Sequence, residues 1–292
     1  IATAGIPRVT VPRGFAVPFK YYVEFMKANG FDKKILDFSF DNDFVHNPRI
    51  RKEKLAQFRA EIRNGKFDAG LRRQILRKWR TRLGGRGAFV RSSSNAEDMP
   101  NFSGAGLYDT VPNVKRSAKI IEAVKTVWAS LWNFEAYEAR ERNFIEHAST
   151  YMGVLIQTGV DMDSSGVLIT KDPFDSENVG AVYISAKRGL GIKVVDGKKI
   201  AEQILYSKSS NAVQVLTRSA EDTLLMFDEN GGVKEVPISG NRNVLTDLVA
   251  RRLADVGMKI KKVFGDLKEQ DIEWGYKRGR IYILQSRPFI EN

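Results

Sequence analysis

The sequence contains no cysteine and only two histidines, His46 and His147, set far apart. Without cysteine there are no disulfides, no thiolate catalysis and no cysteine-ligated zinc or iron–sulfur centre. Two isolated histidines also argue against a His-rich metal centre. No stretch approaches the ~18 consecutive apolar residues of a membrane span. There is no Gly-Lys-Ser/Thr phosphate loop and no Gly-x-Gly-x-x-Gly in a strand–helix context. Gly189-Leu190-Gly191 is too short to count alone. Internal repeats and low-complexity tracts are missing too. The opening Ile1-Ala2-Thr3-Ala4 lacks an initiator Met, a charged n-region and an apolar core, so it does not read as a signal peptide. It reads as a chain that begins partway through a longer protein. No cysteine and no signal together fit a cytoplasmic setting.

What is present is an ordinary globular composition. Apolar residues make up 42% of 292, which excludes wholesale disorder. At ~150 residues per domain the length points to two domains or one large one. The formal charge of +12 is concentrated. Residues 49–86 hold 14 basic residues against Glu53, Glu61 and Asp68, which puts +11 of the +12 in one segment. Leu71, Ile75, Leu76, Trp79 and Leu83 recur at helical spacing there, with Arg and Lys on the other face. Gly84-Gly85 ends the helix. A solvated helix face accounts for such a run most simply. The sharper alternatives are a polyanion site or a dock for an acidic partner.

The chain divides in texture near residue 150. Pro18 starts a helix with an apolar stripe at Phe19, Tyr22, Val23, Phe25 and Met26, stopped at Asn29-Gly30. Residues 31–52 give no clear pattern. Ala88-Phe89-Val90 reads as a buried strand, 95–114 as loop, and 115–147 as helical. Short strands are expected at 152–159, 166–171, 181–186, 203–207, 213–217 and 223–227. A helix follows over 243–264. The fold class is α+β in two lobes, 1–150 with the basic helical insert 49–86, and 151–292 ending in a 269–287 hairpin.

That hairpin holds the most informative chemistry. Alternation along a strand puts Asp271 and Glu273 on one face, and Gln285 and Arg287 on one face of the partner strand. Ile272, Trp274, Tyr282 and Leu284 are expected on the opposite side. A three-residue loop Lys277-Arg278-Gly279 would keep both polar sets together, whereas a two-residue loop would set Glu273 beside Leu284. Two carboxylates and an amide oxygen suit Mg²⁺, which takes a few protein oxygens plus phosphates. A guanidinium suits phosphate. Cross-strand ion pairing on a surface hairpin is the plainer alternative. The second cluster is Arg91-Ser92-Ser93-Ser94-Asn95-Ala96-Glu97-Asp98. An Arg at a strand end, followed by hydroxyls and a Gly-rich loop, can hold phosphates; a Ser-rich turn is the alternative.

Six motifs then occur in order: Arg91–Asp98, Ser103-Gly-Ala-Gly106, Val127-Trp-Ala-Ser-Leu131, Gly189-Leu-Gly191, Asp271-Ile-Glu-Trp274 and Leu284-Gln-Ser-Arg-Pro288. Together they resemble the ATP-binding domain of the phosphoenolpyruvate synthase and pyruvate phosphate dikinase family, which includes glucan water dikinases and rifampicin phosphotransferases. The likeness runs from Gly5-Ile-Pro7 to Pro288, and the wording of Arg91–Asp98 and Gly106-Leu-Tyr-Asp109 leans towards the glucan dikinases. It implies an ATP-grasp-like fold, with ATP held between two lobes of antiparallel sheets and flanking helices. It also implies transfer of a phosphoryl group from ATP to a histidine on a separate swivelling domain. By the same resemblance Arg91 and Arg287 hold phosphates, and Glu273 and Gln285 ligate Mg²⁺ with Asp271 in support. Ser103, Gly104, Ala105 and Gly106 fold over the terminal phosphates, and the strand ending in Gln157 lines the adenine. Catalysis is then positioning and charge neutralisation. Three departures stand out. The family's Gly-Lys-Gly segment is missing, Ser185-Ala186 and Ile192 stand where glutamates flank Gly-Leu-Gly, and no Thr-Ser-His phosphohistidine motif occurs. The competing readings are a degenerate ATP-grasp module with an interaction or regulatory role and, with least support, a basic nucleic-acid-binding domain.

Overall fold

A computed structural model describes residues 3, 5–99, 102–104, 106–192, 200–238, 243–266 and 268–290 of the chain. The first elements are β1 (Val9–Thr10), β2 (Gly14–Val17), α1 (Phe19–Ala28), α2 (Phe31–Phe40) and α3 (Asn42–His46). Then come α4 (Pro48–Asn64), α5 (Ala69–Leu83), β3 (Ala88–Ser94), β4 (Asp98–Met99), β5 (Phe102–Ser103) and β6 (Val111–Val114). Next are α6 (Ser117–Ser130), α7 (Phe134–Arg142), β7 (Met152–Thr158), β8 (Ser164–Ile169), β9 (Ala181–Arg188) and β10 (Glu202–Ser207). The chain closes with β11 (Ala212–Thr217), β12 (Thr223–Phe227), β13 (Val233–Pro237), α8 (Asp247–Val263), β14 (Gln270–Lys277) and β15 (Arg280–Pro288). These form two compact units rather than two contiguous halves. One comprises Arg13–Gly159 and Glu229–Gly232; the other comprises Ile1–Pro12, Val160–Asp228 and Val233–Asn292. Residues 1–12 join the second unit because β1 pairs in parallel with β15.

In the unit built on Arg13–Gly159, four antiparallel strands lie in the order β2-β7-β3-β6. Strand alternation puts Phe15, Val90, Val154 and Ile156 on the buried face. Ile120, Val124, Val127 and Trp128 of α6 join them in one core. The basic segment is part of this core rather than an appendage. Leu55, Phe58 and Ile62 of α4 are fully buried in it, as are Ile75 and Trp79 of α5 to within a few per cent. The α5 periodicity and its Gly84 cap in the left-handed conformation match expectation. The unassigned stretch 31–52 is helical. Asp41 caps α3 by accepting from the Phe44 N–H, and Asn47 caps α4 ahead of Pro48. The helical stretch 115–147 is two helices, broken at 131–133.

Behind α7 lies a buried polar relay. Arg140 is fully buried; its Nε donates to His147 Nδ1 at 3.0 Å and its Nη2 to the Leu131 carbonyl at 2.8 Å. A guanidinium can only donate, so Nδ1 is the acceptor and the neutral ring carries its proton on Nε2. That nitrogen sits 2.7 Å from Glu141 Oε1. Burial, then the Arg140 charge, hold the His147 pKa down at about 4, against the pull of Glu141 and with Arg51 adding to the depression. The unfolded ring titrates at 6.5. Between those values the unfolded chain binds the extra proton, so this group's contribution to stability is intact above pH 6.5. It is lost as pH falls towards 4, to the extent of about 3 kcal/mol. Thermal unfolding from pH 7 to 4.5 is expected to show this loss, and His147→Gln to remove that part of the slope. Parallel curves for the two proteins would refute it.

The other unit is a seven-stranded sheet in the order β1-β15-β14-β8-β9-β10-β11, antiparallel except for the β1–β15 edge. Helix α8 covers one face. Its Ala250, Leu253, Ala254, Val256 and Ile260 pack with Leu168, Ile184, Ile204, Ile272 and Trp274. Its start is reinforced by the fully buried Glu202, whose carboxylate accepts from the N–H groups of Val244 and Leu245 and from Arg218. The β12–β13 hairpin, whose second strand the sequence did not signal, forms a separate two-stranded sheet.

Candidate functional site

The 270–288 hairpin brings the four expected residues together. Asp271 lies directly across from Arg287, and Glu273 across from Gln285. The device that does this differs from expectation. The connection is a two-residue turn, with Arg278 and Gly279 both at positive φ (45° and 78°), the conformation of a type I′ hairpin. Such a turn alone would set Glu273 opposite Leu284. A register shift between Glu273 and Trp274 instead leaves Leu284 as the extra residue, and a bulge of this kind re-aims everything beyond it. Consequently Ile281 and Ile283 join Ile272 and Trp274 in the core, while Tyr282 and Leu284, expected there, do not.

The polar face has a defined geometry. Arg287 Nε and Nη2 both donate to Asp271 Oδ2, at 2.9 and 2.7 Å. Asp271 Oδ1 is buried and has no hydrogen-bond partner among the described residues. A buried carboxylate oxygen left in this state is costly, and a cation or a polarised donor would satisfy it. No group of three or more His, Cys, Asp or Glu able to hold a metal occurs among the described residues. The donor set is thus one carboxylate and one amide side by side, with a second carboxylate next to them. That is poor for Ca²⁺ or Zn²⁺ and fits Mg²⁺, which draws its other ligands from water and phosphate.

The same sheet face extends across neighbouring strands. Glu273 aligns with Val167 of β8 and, beyond it, Ser185 of β9; Asp271 aligns with Ile169 and Tyr183. Burial raises the Tyr183 phenol pKa. Lys187, two residues beyond Ser185 and so on that face, pairs with Glu221 at 3.3 Å. The sequence reading passed over Tyr183 and Lys187. Their alternation with Ser185 in a half-buried strand was the available signal. Gly189-Leu190-Gly191 has a structural explanation. Gly189 has φ 68°, and a Cβ there would meet the Leu225 carbonyl oxygen at 2.3 Å, because the chain bridges to Leu225 at that point. Ser165 Oγ donates to the Gly189 carbonyl at 2.6 Å.

Arg91 and Gln157 belong to the other unit and share the sheet face opposite its core. Arg91 aligns with Leu155, and Gln157 with Phe89 and Gly14. Gln157 is buried, with 6% of its surface exposed. The serine run serves partly as a turn: Ser94 Oγ accepts from the Ala96 N–H, and Asn95 bonds the backbone of Ser149 and Tyr151. Gly104 closes onto it through its N–H to the Glu97 carbonyl at 2.7 Å. A Cβ on Gly104 would meet the Glu97 backbone at 3.0 Å and the Tyr108 ring at 3.2 Å. Ala105 lies outside the described residues, and for Ser103 only the backbone in β5 is described. Beyond Gly106 the loop is pinned by Asn133, missed from sequence, whose Nδ2 reaches the Leu107 carbonyl at 3.0 Å and Asp109 Oδ1 at 3.1 Å. Arg59 of α4 holds Asn133 in turn, at 2.7 Å.

A polar hairpin face able to take a metal and phosphate, and a separate Arg-bearing strand with a glycine loop, define a candidate phosphate-binding domain. Over residues 2–291 the chain matches the family described as pyruvate phosphate dikinase, AMP/ATP-binding domain, and it belongs to that family. It is 30% identical to a probable phosphoenolpyruvate synthase of Methanothermobacter thermautotrophicus, over 99% of this chain and 42% of that protein. It is 28% identical to the phosphoenolpyruvate synthase of Pyrococcus furiosus, over 99% of this chain and 40% of the relative. With a rifampicin phosphotransferase of Streptomyces sviceus it shares 37% over 71% of this chain and 24% of the other. The chain therefore spans less than half the length of these curated relatives. Among solved structures, a D-alanine–D-alanine ligase from Helicobacter pylori overlays 77% of this chain and 48% of its own at 12% identity and a TM-score of 0.33. Among the described residues no helix is long and apolar enough to cross a membrane.

Proposed function

We propose that this domain binds ATP with Mg²⁺ and begins a dikinase-type phosphotransfer. In that reaction a phosphoryl group passes from ATP to a histidine on a separate swivelling domain of a longer protein. Family membership and the similarity to phosphoenolpyruvate synthases and a rifampicin phosphotransferase support the reaction class. The observation that carries the reading is the hairpin register, which sets Glu273 beside Gln285 and Asp271 beside Arg287 on one face.

The roles follow from charge and geometry. Glu273 and Gln285 hold the magnesium, which neutralises phosphate charge when bound, and Asp271 supports it through its unpartnered oxygen. Arg287 is kept in place by Asp271 and offers its fork to phosphate. Arg91 takes a second phosphate contact, residues 103–106 close over the terminal phosphates, and Gln157 reads the base. The final acceptor binds outside this domain, and the lack of cysteine fits a cytoplasmic setting. One observation favours the competing reading of a degenerate module: Arg287 already spends two donors on Asp271, as a purely structural cross-strand pair would. Calorimetric titration with MgATP separates the two. Saturable binding that is lost when EDTA replaces Mg²⁺ is expected. No heat at millimolar nucleotide would leave the degenerate module.

A further inference from the structure

The basic segment splits into two helices whose charges are used differently. On α4 several of the cations are held within the chain. Arg51 pairs with Glu138 at 2.7 Å, Lys54 with Asp41, and Arg59 with Asn133. On α5 they are not. Arg73, Arg77 and Arg80 are exposed, and among the described residues none has a carboxylate partner. No acidic residue occurs between Asp68 and Glu97.

Their spacing is i, i+4 and i+7, so the three guanidinium groups form one line along the helix. Like charges at these separations destabilise a helix, and among the described residues no carboxylate pairs with them to offset the repulsion. The line also lies away from Arg91, the phosphate contact assigned within the same unit. Helix α5 packs through Leu71, Ile75, Trp79 and Leu83 into the core beneath Phe15, whereas Arg91 projects from the opposite face of that sheet. A role as part of the phosphate site therefore does not account for it.

We propose that α5 is a docking face for an acidic protein surface, in the form of a helix carrying carboxylates at matching three- and four-residue spacing. Three guanidiniums over seven residues span roughly 10 Å, the length of two turns of one partner helix. Planar guanidinium forks pair bidentately with carboxylates, which compact ammonium groups do not. No large apolar side chain between 46 and 143 is exposed, so the face has no ring on which nucleic acid bases could stack.

The test uses the chain with fluorescein-labelled probes followed by anisotropy. The probes are a helical 15-residue peptide with Glu at i, i+4 and i+7, its scrambled counterpart, and a 15-base-pair DNA duplex. The variants are R73E/R77E/R80E, its neutral counterpart R73Q/R77Q/R80Q, and K33E/K208E/K234E as a control of equal charge change at exposed sites. The patterned peptide is expected to bind at least tenfold more tightly than the scrambled one. Binding should fall at least tenfold in both arginine variants and within twofold in the control, with MgATP titration unchanged throughout. Equal loss in the control, equal binding of the scrambled peptide, or tighter binding of the duplex would each overturn the proposal. The MgATP readout keeps this outcome separate from the nucleotide assignment.

Discussion

Glu273→Ala and Arg287→Ala are each expected to weaken MgATP binding by tenfold or more while leaving the fold in place. A hydrogen bond to a charged group contributes about 1.5–3 kcal/mol, which is roughly a 10- to 100-fold change in affinity. Glu273 sits half-buried in mid-strand, and its backbone ladder to β8 and β15 does not depend on its side chain. Its loss should therefore cost stability no more than about 1 kcal/mol. Arg287→Ala removes the guanidinium that donates twice to a largely buried Asp271, so its cost is larger, about 1–2 kcal/mol. Adding Asp271→Asn should recover part of that stability and none of the affinity. Calorimetry beside thermal unfolding measures both quantities. If each single variant lost stability in proportion to affinity, the hairpin would be a structural ion pair and no more.

The second large effect concerns Phe58. It is fully buried on α4 and meets Phe31, Phe38 and Trp132 edge-on, with ring centroids at 5.7, 5.3 and 5.2 Å. Lys34 Nζ lies 5.9 Å from its ring. Truncation to alanine removes these contacts and leaves a cavity among the three rings. The expected loss is about 3–5 kcal/mol. Urea unfolding followed by tryptophan fluorescence reports it, since Trp79, Trp128 and Trp132 lie in the same core. Arg63→Ala, on the exposed side of the same helix, should shift the midpoint little. A small effect of Phe58→Ala would mean that the basic segment is an add-on whose packing the rest of the unit does not need.

These two sites also show how far the sequence could be read. The α5 helix was legible because its apolar spacing and its glycine cap agree. The shared polar face of the hairpin was legible from alternation alone; which residues pair across it was not. The means of achieving that face was not legible either, because a two-residue turn plus a bulge puts the same side chains on the polar face as a three-residue loop does. The difference appears in the pairing and in which apolar residues are buried, Ile281 and Ile283 rather than Tyr282 and Leu284. The stretch 31–52 was opaque for another reason. The stretch holds α2, the five-residue α3 and only the start of α4, so no one apolar period runs its length. The cap at Asp41 and the Asn47-Pro48 start were the readable signals. Asn133 could not be found from sequence, because its function is to hold the backbone of a loop 26 residues away.

The β1–β15 edge has a consequence for how the protein is made. Val9 pairs with Ile281, so β1, once it has left the ribosome, must wait for a partner strand made about 270 residues later. At about 5–20 residues per second, that wait is on the order of tens of seconds. The segment 13–159 lies almost wholly within one stretch of chain and can condense meanwhile, whereas the seven-stranded sheet cannot close its edge until synthesis of this region is complete. Until then Val9 and Thr10 are an unpaired edge in a nascent chain, and chaperone occupancy during translation should be concentrated there.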